Sequence, residues 1–253
     1  MVERGLAESR EKARAYILAG DVQVDGQKLT KAGHNVTLDA RVELAAKMPF
    51  VSRGGLKLQA ALDRFAIDVT GRICLDTGAS TGGFTDCLLQ RGALRVYAYD
   101  VGSGQIDWKL RNDPRVVVRE KINCRYLTPA DLTERVSLAV CDVSFISVTM
   151  LLPALVSVLE EQGEMVILIK PQFEVGRGQV GKGGIVRDPL LHLACCNKVA
   201  SAVQSLGFQT AIMESPVLGA EGNKEFLLHG KKYSHQGRAP AYGIDGFPRG
   251  GNH

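Results

Sequence analysis

The run Asp76-Thr77-Gly78-Ala79-Ser80-Thr81-Gly82-Gly83-Phe84 is the sharpest chemical signal in the chain. It follows an apolar run and opens a helical pattern, which is where an open α/β sheet binds its ligand. Gly78 and Gly82 let the backbone turn and approach a ligand closely. Ala79, Ser80 and Gly83 complete the candidate cofactor loop. Two cofactor classes compete for it. A dinucleotide lays its pyrophosphate on the helix N-terminus, where Asp76 would be an unwelcome anion. S-adenosylmethionine carries a sulfonium and an ammonium and no phosphate, so an acidic loop suits it. Asp100 ends the next apolar run, 24 residues after Asp76. A carboxylate there can accept both ribose hydroxyls in either class. The loop acid therefore favours S-adenosylmethionine. Asn123 follows the third run, where its amide could meet an adenine edge; the plain alternative is a turn-forming Asn. Asp142 ends the fourth run and can line the same crevice.

Lys170 closes the apolar stretch Met165-Val166-Ile167-Leu168-Ile169 and precedes Pro171-Gln172-Phe173-Glu174. A lysine at the carboxyl end of a buried strand is unusual. Desolvation and a nearby cation both favour the neutral amine, so such a lysine can serve as a general base. Lys57 falls at the apolar start of a helix, where a lysine snorkelling toward solvent is the simpler reading.

The elements that must position these groups are legible as runs. Residues 73–76, 96–100, 116–118, 138–142 and 165–170 are short and apolar, as expected of strands covered on both faces. Amphipathic segments at 84–90 and 190–206 lie between them, and two further strands are expected near 209–214 and 225–229. This predicts a doubly wound, Rossmann-like α/β sheet over residues 51–232. Residues 1–46 read as a separate small α+β unit. Ser9 is a plausible N-cap for a helix through Leu18, and Gly20 is placed to stop it. Asp25-Gly26 is a hairpin signal. Residues 47–50 read as a linker, and the Gly, Pro, His and Arg-rich segment 233–253 as a disordered tail.

The 253 residues carry a net charge of +4, which permits an anionic partner without demanding one. Six cysteines show no C-x-x-C pair, and several sit among apolar neighbours, so a reduced, cytoplasmic setting is expected. The one long apolar stretch, 136–159, is interrupted by Asp142 and Pro153 and reads as a strand then a helix rather than a membrane span. No His/Cys spacing suggests a metal.

Two resemblances sharpen this reading. Residues 2–10, with Ala13-Arg14 and the run Ala19-Gly20-Asp21-Val22-Gln23-Val24-Asp25-Gly26, resemble the S-four-type RNA-binding domain. The chain begins late relative to that pattern, so the first helix is expected to be short. The resemblance implies RNA contacts at Arg4, Arg10, Lys12 and Arg14. Lys57, Asp142, Lys170 and Glu225 together resemble the Lys-Asp-Lys-Glu tetrad of the FtsJ-like ribose methyltransferases. Within that group, residues 51–58, 78–93 and 181–189 resemble the TlyA, or hemolysin-A, family.

That resemblance implies S-adenosylmethionine-dependent 2′-O-methylation of ribosomal RNA, with cytidine ribose as the expected target and a ribosomal subunit or its RNA as partner. Lys170 would be the proton acceptor, Asp142 would orient it, and Glu225 would hold it or Lys57. Lys182 and Arg187 could hold RNA phosphates. The competing expectations are an RNA-binding assembly factor without turnover and, from the family name only, a haemolysin.

Overall fold

A computed structural model of the chain describes residues 1–37, 39–44 and 48–232. The segment 233–253 expected to be disordered lies outside the described residues. The chain divides into two compact units, Met1–Pro49 and Phe50–His253.

In the first unit, helix α1 (Arg10–Ala19) begins where the Ser9 side chain accepts from the Lys12 amide. It ends at Gly20, whose left-handed conformation lets its N–H reach the open carbonyls of the last turn. Strands β1 (Val22–Val24), β2 (Gln27–Leu29) and β3 (Val42–Leu44) form an antiparallel sheet in the order β2-β1-β3. Asp25 and Gly26, both at positive φ, make the β1–β2 turn.

The second unit is a seven-stranded sheet in the order β6-β5-β4-β7-β8-β10-β9. Strands β4 (Ile73–Thr77), β5 (Arg95–Tyr99), β6 (Val116–Arg119), β7 (Val136–Cys141) and β8 (Leu159–Ile169) are parallel. Strand β10 (Phe226–Lys232) inserts antiparallel between β8 and β9 (Phe208–Glu214). Every expected strand is present, and β8 begins six residues earlier than its apolar run.

Successive strand residues face opposite layers. Cys74 packs against α2 (Gly54–Arg64), α3 (Gly83–Gln90) and α4 (Trp108–Arg111), while Leu75 packs toward α5 (Leu152–Val158) and α7 (Pro189–Gln204). That double burial is why these strands read as unbroken apolar runs. The short helix α6 (Pro171–Glu174) follows β8.

Phe50 departs from the linker expected at 47–50. It is buried in the core of the second unit, and Gly55 makes room for its ring: a Cβ there would come within 2.2 Å of it. The stretch 136–159 is β7 and α5 as expected, and among the described residues no helix is long and apolar enough to cross a membrane. All six cysteines are buried and unbridged. Burial pushes the Cys74, Cys87, Cys124, Cys141 and Cys196 thiols up to about 12, so they act as small core hydrophobes.

Candidate active site

Strand β4 has β5 on one side and β7 on the other, and chain order reverses there. The crevice at such a switch point is the ligand site of an open α/β sheet. The loop leaving β4 is drawn tightly against the end of β7. Gly78 sits at φ +80°, and a Cβ on it would lie 2.4 Å from the Asp142 carbonyl oxygen. The Asp142 N–H donates to the Thr77 carbonyl at 3.0 Å, and the Gly78 and Ala79 N–H groups both donate to Tyr99 O.

Asp100, just past β5, ties two loops together. Its carboxylate accepts from the Ser80 N–H at 2.8 Å and from the Gly102 N–H at 2.7 Å. A cavity of about 500 Å³ opens beside it, with Asp100, Asn123, Val101, Ile122, Val143 and Leu151 among its walls. Asn123 takes the turn role, its Oδ1 accepting from the Arg125 N–H, and it also lines this cavity.

A second cavity of about 280 Å³ shares Gly78, Ser80, Asp142 and Ser144 with the first. Here the four tetrad residues form two ion pairs. Lys170 Nζ lies 2.6 Å from Asp142 Oδ1 and also donates to Ser144 Oγ at 2.9 Å. Lys57 Nζ lies 2.5 Å from Glu225 Oε2, both side chains nearly buried. Glu225 therefore holds Lys57 rather than Lys170. The two lysines line the cavity, and Glu225 stands behind Lys57. Gly219 closes over Glu225 so tightly that a Cβ there would meet Oε1 at 2.1 Å.

Two loop residues do not contact the cavities as expected. Asp76 is fully buried and lines neither one; Thr85 Oγ1 donates to its Oδ2 at 2.7 Å. Its charge is therefore not presented to a ligand, and the electrostatic argument that rested on it falls. A Cβ on Gly83 would meet Ser52 Oγ at 2.2 Å and Gly55 N at 2.9 Å, so the start of α3 packs closely on the start of α2. Gly82, at φ +98°, packs on Leu110 of α4 instead of the cavity.

Burial pushes Asp76 up to about 7; the Thr85 hydroxyl works against this, and Asp142 and Asp100 add to it. The folded value lies above that of an unfolded aspartate, so the unfolded chain releases its proton first. Stability contributed by this group is present below about pH 4 and is lost as pH rises toward 7. Asp76→Asn, which can still accept the Thr85 hydroxyl, should remove that loss. The expected gain at pH 8 is at most on the order of 4 kcal/mol, read from urea unfolding across pH 4–8. Parallel stability curves for the two proteins would show that Asp76 ionises as freely folded as unfolded.

The sequence reading missed Ser52, Arg53, Thr81, Phe84, Ser144 and Gly219, all of which line the tetrad cavity. Ser52 and Arg53 stand in the stretch 51–58 that resembles the family, and Thr81 and Phe84 in the glycine-loop run, whereas Ser144 and Gly219 carried no signal. Phe145 was missed too. It is 87% exposed at the larger cavity, sits at φ +70°, and tilts against Phe173 with ring centroids 5.3 Å apart.

The cations expected to bind RNA separate into groups. Arg10 and Arg14 lie one turn apart on α1, exposed, and line a shallow cavity of about 380 Å³ in the first unit. Lys12 pairs with Glu8 at 2.7 Å, and Arg4 donates to the Ala40 carbonyl at 2.5 Å, so both are engaged within the unit. Lys182 and Arg187 are exposed on the loop between α6 and α7 and line neither catalytic cavity.

The residues present fit S-adenosylmethionine. Each Asp100 oxygen keeps a lone pair beyond the N–H it accepts, enough for two ribose hydroxyls. Apolar walls beside it suit a nucleobase, and the cavity joins the ion-paired chamber at the strand ends. A Rossmann-like sheet with these features defines the S-adenosylmethionine-dependent methyltransferases. Within that class the chain belongs to the FtsJ-like methyltransferase family, whose model matches residues 50–232, and it groups there with TlyA and hemolysin A. An S4 domain matches residues 1–42.

The chain is 50% identical, over 90% of its length and 86% of the relative's, to the 16S/23S rRNA (cytidine-2′-O)-methyltransferase TlyA of Mycobacterium tuberculosis. It is 46% identical to Hemolysin A of Brachyspira hyodysenteriae, covering 89% of this chain and 95% of that one. A solved structure from Streptococcus thermophilus that carries the hemolysin name superposes with a TM-score of 0.74 at 45% identity, covering 91% of this chain and 85% of that one.

Proposed function

We propose that the chain methylates the 2′-hydroxyl of a cytidine ribose in ribosomal RNA, working in the cytoplasm on a ribosomal subunit or its RNA. The observation that carries this reading is the pair of ion pairs, Lys170–Asp142 and Lys57–Glu225, at one chamber that opens onto the cofactor cavity. The similarity to the mycobacterial enzyme supports the substrate class.

A ribose hydroxyl is a poor nucleophile until its proton is accepted. S-adenosylmethionine, when bound, supplies a methyl group on a sulfonium. Lys170 takes the hydroxyl proton on Nζ, held in place by Asp142 and Ser144. To accept it, Nζ must present a lone pair, so the reacting form is the neutral amine. Lys57, clamped by Glu225, places a second donor on the other wall of the chamber. Positioning the oxygen in line supplies much of the rate. Arg10, Arg14, Lys182 and Arg187 hold phosphates, and the Phe145–Phe173 pair offers a face on which a splayed-out base can stack.

The test uses ribosomal subunits from a strain lacking the gene, incubated with the purified chain and methyl-labelled S-adenosylmethionine. Label should appear on RNA at a ribose, read as an alkali-resistant linkage at a cytidine. Label on a base or on a ribosomal protein would refute the reading. Calorimetric titration that found no cofactor binding would point instead to an RNA-binding assembly factor.

A further inference from the structure

A buried side chain, Asn223, grips the loop that carries Lys182 and Arg187. Asn223 is 2% exposed. Its Oδ1 accepts from the Val186 N–H at 3.1 Å, and its Nδ2 donates to the Gly184 carbonyl at 3.0 Å. It thus grips the loop backbone between the two cations. Val186 is itself buried, and its carbonyl meets His192 Nε2 of α7 at 2.8 Å.

The other side of Asn223 leads to the tetrad. Its backbone carbonyl accepts from the Gly219 N–H at 2.8 Å and closes a tight turn, in which Glu221 and Gly222 take left-handed conformations. Gly219 is the residue lying against the Glu225 carboxyl and lining the catalytic cavity. Glu225 follows Asn223 by two residues, and its carbonyl accepts from the Ser215 N–H at 2.9 Å. Loop and turn are therefore tied together through Asn223 by hydrogen bonds, and the turn reaches the carboxylate through the packing of Gly219 against Glu225.

We propose that Asn223 is a positioning residue that couples the cationic loop 181–187 to the Lys57–Glu225 ion pair, so that phosphate capture by the loop sets the placement of Lys57. The chemistry of the side chain suits the task. A single amide presents one acceptor and one donor to two backbone groups of opposite kind. Asp can satisfy Val186 N–H but turns an acceptor toward the Gly184 carbonyl; Ala satisfies neither. The proposal rests on the reading that Lys182 and Arg187 hold substrate phosphates.

The test is a pair of thermodynamic cycles on the full chain, measuring kcat and KM for ribosomal subunits and Kd for S-adenosylmethionine. Asn223→Ala should lower kcat about tenfold or more while the cofactor Kd stays within about threefold. In a Glu225→Gln background the same change should cost less than about twofold, because the group it positions is already lost. Arg187→Ala should raise KM and lower kcat, and should lower kcat no further once Asn223 is Ala. Where Asn223→Ala does not fold, Asn223→Asp, which keeps one of the two bonds, enters the same cycles. A kcat loss that persists in full in the Glu225→Gln background overturns the coupling. If Lys182→Ala with Arg187→Ala leaves subunit affinity unchanged, the phosphate reading of the loop fails and the coupling with it, whatever the first cycle shows.

Discussion

On the proposed mechanism, Lys170→Ala should lower methyl transfer about 10²–10⁴-fold while S-adenosylmethionine still binds, the range expected when a general base is removed. Lys170 Nζ sits 2.6 Å from Asp142 in one cavity, whereas Asp100, the acid proposed to take the ribose hydroxyls, lines only the other. Truncation would therefore remove the proposed proton acceptor and leave the walls of the cofactor cavity in place. Lys170→Arg separates charge from proton transfer. Arginine keeps the pairing charge but does not deprotonate at working pH, so it should be as inactive as alanine. A Lys170→Ala protein with wild-type turnover would remove this residue from the mechanism. A protein that had lost cofactor binding as well would make its role structural.

Gly78→Ala is the other change with a large expected effect, and it acts through backbone geometry rather than chemistry. The residue combines φ +80° with a Cβ position 2.4 Å from the Asp142 carbonyl oxygen and 3.2 Å from Val143 Cγ1. Left-handed strain for a non-glycine residue costs about 1 kcal/mol. The clash adds to this because the atom that must move is backbone at the end of β7, and moving it displaces Asp142, which belongs to both cavities. Cofactor affinity should fall on the order of 100-fold, equivalent to about 2.7 kcal/mol, and Tm should drop. Gly71→Ala is the control: its φ is +71°, and nothing lies within 4 Å of its Cβ position. It should cost only the conformational strain and leave cofactor binding intact. Equal effects at the two glycines would mean that the close approach of β4 to β7 does not matter.

Sites differed in how far they could be read without coordinates. Cys74-Leu75, Ala139-Val140 and Ile167-Leu168 announced central parallel strands because their two faces enter two different cores. The same logic located Asp100, Asp142 and Lys170, since a polar residue ending an apolar run must lie at a strand's carboxyl end. Asp76 ended its apolar run and misled: β4 continues to Thr77, so Asp76 alternates onto the same face as Cys74, where Thr85 of α3 meets it in the core. Phe50 looked like linker because the short run Met48-Pro49-Phe50-Val51 has neither the helical nor the alternating period that would declare its burial.

The sequence by itself determined the apolar runs that become strands, the hairpin at Asp25-Gly26 and the glycine loop, because each depends on local backbone freedom or on alternation within a few residues; the tetrad was legible only through its resemblance to a known family. Tertiary structure alone decided the pairing. Lys57 and Glu225 are 168 residues apart and meet because α2 packs over the face to which β10 contributes Leu227. The same packing set Glu225 against Lys57 rather than Lys170, brought Ser144 and Gly219 into the chamber, and made Asn223 the link between two distant loops. Such contacts are fixed by how layers stack across a sheet, and no short window of residues encodes that distance.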